Sequence, residues 1–434
     1  MAMATKRRRT AIELLSVNRI FGKTVKIYNI ALWIVAVILA IGVALSSYVV
    51  AYEVRSPERA CAIQVPPSSG ACANLAAATY AARRQKNAKA FVLKLERAMA
   101  LQGYRAEPLS ANALSTLIAP FREKMSGKDR QALLELAGKV TRRNSLINAE
   151  LIESAGYRDD KQAFFQWLSR SMLTNNEARK SYVGVIAQAT SMPGAVEALT
   201  PVIGAAPKWA PDYWRAVVLH PQSLGNAAKL RLALVKRPWR QTTIDAMDER
   251  LVLGLVQYGQ LDEAFALADS LAPLTWRARG QTNRLINGRF ADQPHFPPLD
   301  WELAAMGNLG ATIEPARKRL LISAIGGAQG MAARQLVRLS PGDYTLNWVL
   351  SSNADNSLRF RIFCAEADGA SLPPVIVPAA AGKKQAPVRI AGDGCNWRWV
   401  SLDIFLPDDA AGIDVYLSDL SLAPTGSATA QATR

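Results

Sequence analysis

The chain has 434 residues, half of them hydrophobic, with 52 Lys and Arg against 35 Asp and Glu, a formal charge of +17. That length and composition supply material for two or three packed domains. The charge excludes little by itself, but it forms no basic block beyond Lys6-Arg7-Arg8-Arg9 and accompanies no nucleic-acid module, so it does not point to DNA or RNA.

Residues 1–29 form a basic tail, with Lys6 to Arg9, Arg19, Lys23 and Lys26. Residues 30–51 follow as an uncharged apolar run, IALWIVAVILAIGVALSSYVVA. At about 1.5 Å per residue a helix of that length crosses a hydrocarbon core of about 30 Å. Trp33, Tyr48 and Tyr52 lie near its ends, where amphipathic rings favour the interface. The basic flank predicts a cytoplasmic N-terminus, a single pass of a bacterial inner membrane and a periplasmic bulk. A cleavable signal peptide is the competing reading, but signal cores run to about 7–15 residues. The arginines at 7–9 lie too far from the run to make a convincing twin-arginine signal.

Residues 52–72 read as a tether, with Pro57, Pro66 and Pro67 inside or beside the loop from Cys61 to Cys72. All four cysteines follow the apolar run and fall into two local pairs, Cys61 with Cys72 and Cys364 with Cys395. On the oxidising side of a membrane such pairs read as disulfides. A metal site is the rival, but no C-x-x-C spacing occurs, and His220 and His295 sit in Pro-flanked segments. No metal and no other cofactor is expected.

Residues 73–280 read as helices of about 12–20 residues, interrupted by glycines and prolines. In 130–140, Leu133, Leu134, Leu136, Ala137 and Val140 share one stripe, which predicts a buried face. In 251–271 one helix contains Gly254, a turn follows at Tyr258-Gly259-Gln260, and Leu261-Asp262-Glu263-Ala264 opens a second helix. The small residues Gly254 and Ala264 predict close approach of the two. This phrase resembles the tetratricopeptide repeat. Ser154-Ala155-Gly156-Tyr157 with Lys161-Gln162-Ala163 is a degraded copy, and Gln102-Gly103-Tyr104 with Glu107-Pro108 a partial one. The resemblance implies an α-solenoid that binds partner proteins. A fixed 34-residue period does not hold, and an irregular helical domain is the alternative. Trp209, Tyr213, Trp214 and Trp239 read as wedges between helix pairs.

Near residue 280 the pattern changes to alternating strands bounded by Gly, Pro, Asn and Asp. Strands are predicted at 320–324, 335–339, 344–351, 358–364, 388–391, 397–406 and 413–422, with a type II turn at Ser340-Pro341-Gly342-Asp343. This implies a β-sandwich over 283–424, followed by a disordered tail at 425–434. The chain's fold class is therefore α + β multidomain: one N-terminal transmembrane helix, a helical solenoid and a C-terminal β-sandwich.

The sandwich segment holds four phrases in order: Asn287-Gly288-Arg289-Phe290, then Trp301; a Gln335-to-Leu346 stretch containing Leu339, Pro341, Gly342 and Tyr344; and Asp419-Leu420-Ser421-Leu422. That order resembles the jelly-roll carbohydrate-binding modules attached to glycoside hydrolases. Many such modules carry an acidic residue after the first Phe and adjacent Asp residues in the last strand, which contribute to a calcium site. This chain has Ala291 and Ser418-Asp419 there, so calcium is not expected.

Alternation places Val400, Leu402, Ile404 and Leu406 on a core face, and Trp397, Trp399, Ser401, Asp403 and Phe405 on the other. It likewise turns Leu358, Phe360, Ile362 and Cys364 inward and Arg359 and Arg361 outward. Trp397, Trp399, Arg359, Arg361 and Asp403 are therefore the candidate glycan- or partner-binding residues. Indole rings stack on pyranose faces, and arginine pairs bidentately with a uronate carboxylate. The same tryptophans also suit contact with another domain or an ordinary core. Cys395 has outward parity and Cys364 inward, so their bond requires a bulge or strand end at Cys395.

No G-x-S-x-G, H-E-x-x-H or P-loop occurs, and the carboxylate pairs Asp159-Asp160 and Asp408-Asp409 fall in turns. No enzyme activity is expected. The expected role is a membrane-anchored periplasmic scaffold in exopolysaccharide or envelope assembly. Its expected partners are the inner membrane, envelope proteins and an acidic polysaccharide, and no nucleic acid. A purely protein-binding subunit of a membrane complex and a polysaccharide-modifying enzyme are the alternatives.

Overall fold

A computed structural model describes residues 3–63, 68–87, 90–119, 127–242, 247–272, 283–351, 357–366, 372–392 and 394–425, with the side chains of the first helix from Tyr28 onward. The chain divides into two compact units, residues 1–175 and 176–434. The predicted helical region 73–280 is thus shared between them.

The first unit opens with α1 (Met3–Tyr52), whose segment Tyr28–Tyr52 is long and apolar enough to cross a membrane. Leu32, Trp33, Ile38 and Leu39 on it are all exposed. Its last turn differs: Val49 is buried against Ala60 and Ala71, with Cys61 and Ile63 around them. Ala60 belongs to α2 (Pro57–Ala62) and Ala71 to α3 (Ser68–Lys86). Pro57 starts α2 because a helix leaves its first N–H groups unpaired anyway. A disulfide joins Cys61 to Cys72, and the Asn74 amide donates to the Glu53 carbonyl at 3.1 Å. Where the sequence predicts a tether, the described residues form a stapled helix pair seated on the end of α1. Pro66 and Pro67 lie outside the described residues.

Five helices follow in this unit: α4 (Lys94–Ala106), α5 (Ala111–Ile118), α6 (Gly127–Val140), α7 (Ser145–Tyr157) and α8 (Lys161–Thr174). Ser110, Asn144 and Asp160 cap α5, α7 and α8 by accepting from backbone N–H groups. An asparagine relay links the cap of α7 to α5 and α5 to α3. Asn144 donates to Asn112 at 2.8 Å, and Asn112 donates to Asn74 at 2.7 Å. The predicted stripe on α6 is half right. Leu134 and Ala137 are buried, whereas Leu136 and Val140 are exposed. The helix turns its Gly138 side inward, where an added Cβ would lie 3.0 Å from Leu151 and 3.2 Å from Trp167. That close approach rotates Leu136 and Val140 to the surface.

The second unit begins with α9 (Asn176–Ala189), α10 (Ala195–Gly204), α11 (Ala210–Val217), α12 (Leu224–Val235), α13 (Met247–Gln257) and α14 (Leu261–Leu271). Trp209, Tyr213 and Trp214 are buried. Trp239 lies against Gly204, where a Cβ would come within 2.3 Å of the ring. Gly254 approaches Leu224 of α12, at 3.4 Å from an added Cβ, rather than the predicted α14. The Arg231 guanidinium is fully buried and grips both Asp248 oxygens at 2.7 and 2.9 Å.

The two repeat-like turns share one hydrogen-bond pattern. Asp159 and Gly259 both adopt positive φ, 52° and 73°. Asp160 N–H reaches back to the Ala155 carbonyl and Gln260 N–H to the Leu255 carbonyl, each five residues upstream. The likeness between these two phrases is therefore a likeness of backbone. The third phrase differs, because Gly103 sits inside α4.

The sandwich comprises β1 (Glu302–Leu303), β2 (Ala305–Met306), β3 (Leu309–Glu314), β4 (Arg319–Ala324), β5 (Gln329–Arg338), β6 (Gly342–Ser351), β7 (Leu358–Cys364), β8 (Val375–Pro378), β9 (Gly382–Ile390), β10 (Trp397–Phe405) and β11 (Ile413–Pro424). One antiparallel sheet runs β1-β5-β10-β7-β8 and the other β2-β3-β4-β11-β6-β9. Leu336 apart, the apolar alternation holds: Phe360, Ile362, Val400, Leu402, Ile404, Leu346, Leu417 and Leu422 meet in one core between the sheets. The Pro341-Gly342 segment is not a hairpin turn. It carries the chain from β5 in one sheet to β6 in the other, and Gly342 has φ 152° rather than the roughly +80° of a type II turn.

The recognised phrases interlock. Leu420 N–H donates to the Gly288 carbonyl at 2.9 Å, and a Cβ on Gly288 would fall 2.1 Å from the Leu420 oxygen. The buried Gln335 amide clips the backbone of Ile286, donating at 3.0 Å and accepting at 2.8 Å. Asn287 holds a positive φ of 52° while its side chain accepts from the Ala291 N–H. The Trp301 indole donates to the Asn287 carbonyl at 3.3 Å.

Candidate functional site

Strand β10 runs between β5 and β7, and its register fixes which side chains share the outward face. Trp399 lies beside Leu336 and Phe363, Ser401 beside Arg334 and Arg361, and Asp403 beside Met331 and Arg359. The face is therefore a short ladder of aromatic and arginine rungs. Arg359, Arg361 and Trp399 are half-buried, while Asp403 is buried at 2% exposure.

Each guanidinium lies over a ring. Arg334 sits 4.3 Å from the Trp399 centroid, Arg361 4.5 Å from Phe363 and Arg359 4.2 Å from Phe405. Cation–π attraction of this kind is worth about 0.5–1 kcal/mol at exposed sites. Carboxylates fix two of the three: Glu302 accepts from Arg334 Nε at 2.7 Å, and Asp403 pairs with Arg361 Nε at 2.7 Å. Asp403 also accepts from the Ser401 hydroxyl. Asp403 is thus an anchor beneath the face rather than a group presented to a ligand. Arg359 has no carboxylate partner among the described residues, and its Nε makes no hydrogen bond there.

Trp397 shares the face but is closed off. It is 3% exposed, its ring lies 5.6 Å from Phe265, and its indole donates to Asp262 at 3.2 Å, both residues of α14. It serves contact between helix and sheet, so no sugar can stack on it. Arg334 covers one side of Trp399, which leaves the paired-tryptophan platform without two free ring faces.

The Cys364–Cys395 disulfide spans a Cα–Cα distance of 6.0 Å. The parity conflict dissolves because β10 starts at Trp397 and Cys395 precedes it. Glu366 accepts from the N–H groups of Asn396 and Trp397 at 3.1 Å each, steadying that strand start. Cys364, Glu366 and Cys395 form the one close grouping of potential metal ligands among the described residues, and its sulfurs are bonded to each other. The calcium position of the resembling modules does not fit here, since Ala291 supplies no carboxylate.

Of the carboxylate pairs, Asp160 caps α8 and Asp159 contacts Lys161 at 3.2 Å. Glu314 is held below the usual carboxylate range, chiefly by its hydrogen bond from Arg319. Burial pushes Asp300, beside Trp301, up to about 6 despite hydrogen bonds from the Trp301 and His295 N–H groups.

Sequence reasoning missed Arg334, Glu302 and Phe363. Arg334, Leu336 and Arg338 alternate with Val337 and were legible as an outward set. The buried Gln335 hid that pattern by placing a polar residue on the inward side. The face is also local in its charge: residues 283–425 hold 13 Lys and Arg against 14 Asp and Glu, so the chain's positive excess lies before the sandwich.

No protein-family model and no curated protein matches the chain. Solved structures do. A CBM4 structure is 15% identical over 32% of this chain and 97% of its own, with a TM-score of 0.25. TmCBM61, in complex with β-1,4-galactotriose, is 13% identical over 33% of this chain and 98% of its own, with a TM-score of 0.24. The enzymatically active domain of bacteriophage CBA120 tailspike protein 4 is 12% identical over 33% of this chain and 21% of its own, with a TM-score of 0.25. These are similarities of fold to parts of this chain.

Proposed function

We propose that this protein is a membrane-anchored, non-catalytic scaffold of the bacterial envelope whose sandwich binds an acidic polysaccharide. The observation that carries the reading is the arginine layer on the outward face of the five-stranded sheet, with the guanidinium carbons of Arg334, Arg359 and Arg361 4.2–4.5 Å from aromatic ring centroids. A guanidinium held over a ring stays charged and positioned, and its planar fork of N–H donors can meet a carboxylate or sulfate bidentately. Fixing the side chains beforehand reduces the ordering cost of binding. A neutral sugar has less to gain, because the ring faces it would stack on are shared with arginines.

The apolar segment Tyr28–Tyr52 anchors the chain, and the disulfides suit a periplasmic bulk. The helical arrays offer surface for envelope proteins in exopolysaccharide assembly. One observation favours the purely protein-binding alternative: Trp397 is already spent on a contact between protein segments.

The test is affinity electrophoresis of the detergent-solubilised chain through gels containing polygalacturonate or dextran. Retardation by polygalacturonate alone, weakening as salt rises, is expected. Equal migration in both gels would remove the glycan role.

A further inference from the structure

A second polar surface lies on the other sheet. Side chains of β6, β9 and β11, together with the loop 283–291 and Lys318, line an open groove of about 1190 Å³. Sites for single small molecules span about 300–1,000 Å³, so this groove is sized for an oligomer. Its cations are Arg289, Lys318, Lys383 and Lys384, all exposed. None of them has a carboxylate partner among the described residues. Nearby Arg317 and Arg319 are both paired with Glu314, and on the arginine face Arg334 and Arg361 are tied to Glu302 and Asp403.

Among the described residues that line the groove, Asp419, at the register shift of β11, is the one carboxylate. Neutral amides complete the floor: Asn347 faces Gln385 across the β6–β9 ladder and donates to the Ser421 hydroxyl at 3.2 Å. Trp348 borders the groove but is 3% exposed, and its indole is used on the Ala380 carbonyl. The groove therefore offers positive charge and amide hydrogen bonds without an aromatic platform. Single-stranded nucleic acids depend on such platforms, so they fit poorly. A chain bearing regular anionic groups and many hydroxyls fits well.

We infer that this groove is a second binding site for an acidic polysaccharide, so that one sandwich holds two polymer segments on opposite sheets. The inference takes its ligand class from the proposed function but rests on different residues. Two sites would let each molecule bridge polymer chains, raising retention through avidity.

The experiment is calorimetric titration of the detergent-solubilised full chain with a galacturonate oligosaccharide. Two equivalents are expected for the wild type. Lys383→Glu/Lys384→Glu should leave one equivalent, as should Arg359→Ala/Arg361→Ala, and Lys383→Gln/Lys384→Gln should weaken the groove equivalent by about tenfold. Unchanged thermal melts establish that the variants fold, and the milder glutamine pair stands in if the glutamate pair does not. A single equivalent lost only with the arginine variant would overturn the groove and leave the proposed function standing. A single equivalent lost only with the lysine variants would do the reverse. Absence of any binding would remove both.

Discussion

The indole N–H of Trp397 donates to an Asp262 carboxylate oxygen at 3.2 Å, binding the first residue of β10 to the first turn of α14. Phe265, one helical turn on, packs against the same ring. The contact ties the helices of the second unit to its sandwich. Replacing a buried Trp by Ala costs about 3–5 kcal/mol, whereas losing only its hydrogen bond costs about 1 kcal/mol. Trp397→Ala should therefore destabilise the second unit strongly and Trp397→Phe mildly, read by urea denaturation. Equal small effects would show that the ring is not held by α14.

Asp300 makes stability depend on pH. Its folded-state value of about 6 lies above the ordinary 3.8, because burial disfavours the carboxylate. Between those values the folded chain keeps a proton that the unfolded chain has lost. This group's contribution to stability is thus full below about pH 4 and is lost as pH rises through about 6, by roughly 3 kcal/mol. Asp300→Asn should remove that part of the decline. Denaturation midpoints of both proteins at pH 4, 5, 6 and 7 measure it, and parallel profiles would contradict the assignment.

The buried Arg231–Asp248 pair should show the asymmetry of buried charges. Asp248→Ala leaves a guanidinium buried without its carboxylate and should cost about 3–5 kcal/mol. Arg231→Met/Asp248→Leu removes both charges and should recover much of that loss. A double variant as weak as the single one, in the same denaturation assay, would mean that the geometry of the pair itself stabilises α12 and α13.

One strand with strict alternation was readable in the sequence to the residue, whereas β5 runs from Gln329 to Arg338 and only its end was expected, at 335–339. Leu358–Cys364 is that strand, because Leu358, Phe360, Ile362 and Cys364 face in while Arg359, Arg361 and Phe363 face out. β1 and β2 have two residues each, too short for any period to show. β8 is short and ends in Pro, and the first half of β9 is exposed, so neither announced itself. The phrases resembling a carbohydrate-binding module proved to be the pieces that lock the sandwich together, such as Gly288 under Leu420. They identify a fold more than a ligand site. Parity placed Trp397 on the outward face correctly, but parity cannot tell what covers a face. Residue 262 is far away in sequence, so the cover became visible only in three dimensions. Arg334 escaped for a related reason, since its role depends on register with Trp399 and on Glu302 from a two-residue strand.

The arginine face is tested most directly by the affinity of the full chain for polygalacturonate, measured for the wild type and for Arg359→Ala/Arg361→Ala at two salt concentrations. Arg361→Ala leaves the buried Asp403 without its cation, so thermal melts of the variant and the single Arg359→Ala variant, whose arginine has no carboxylate partner among the described residues, accompany the measurement. The account predicts that the double substitution weakens binding by about tenfold or more and flattens its salt dependence. Unchanged affinity with an unchanged salt response would contradict it.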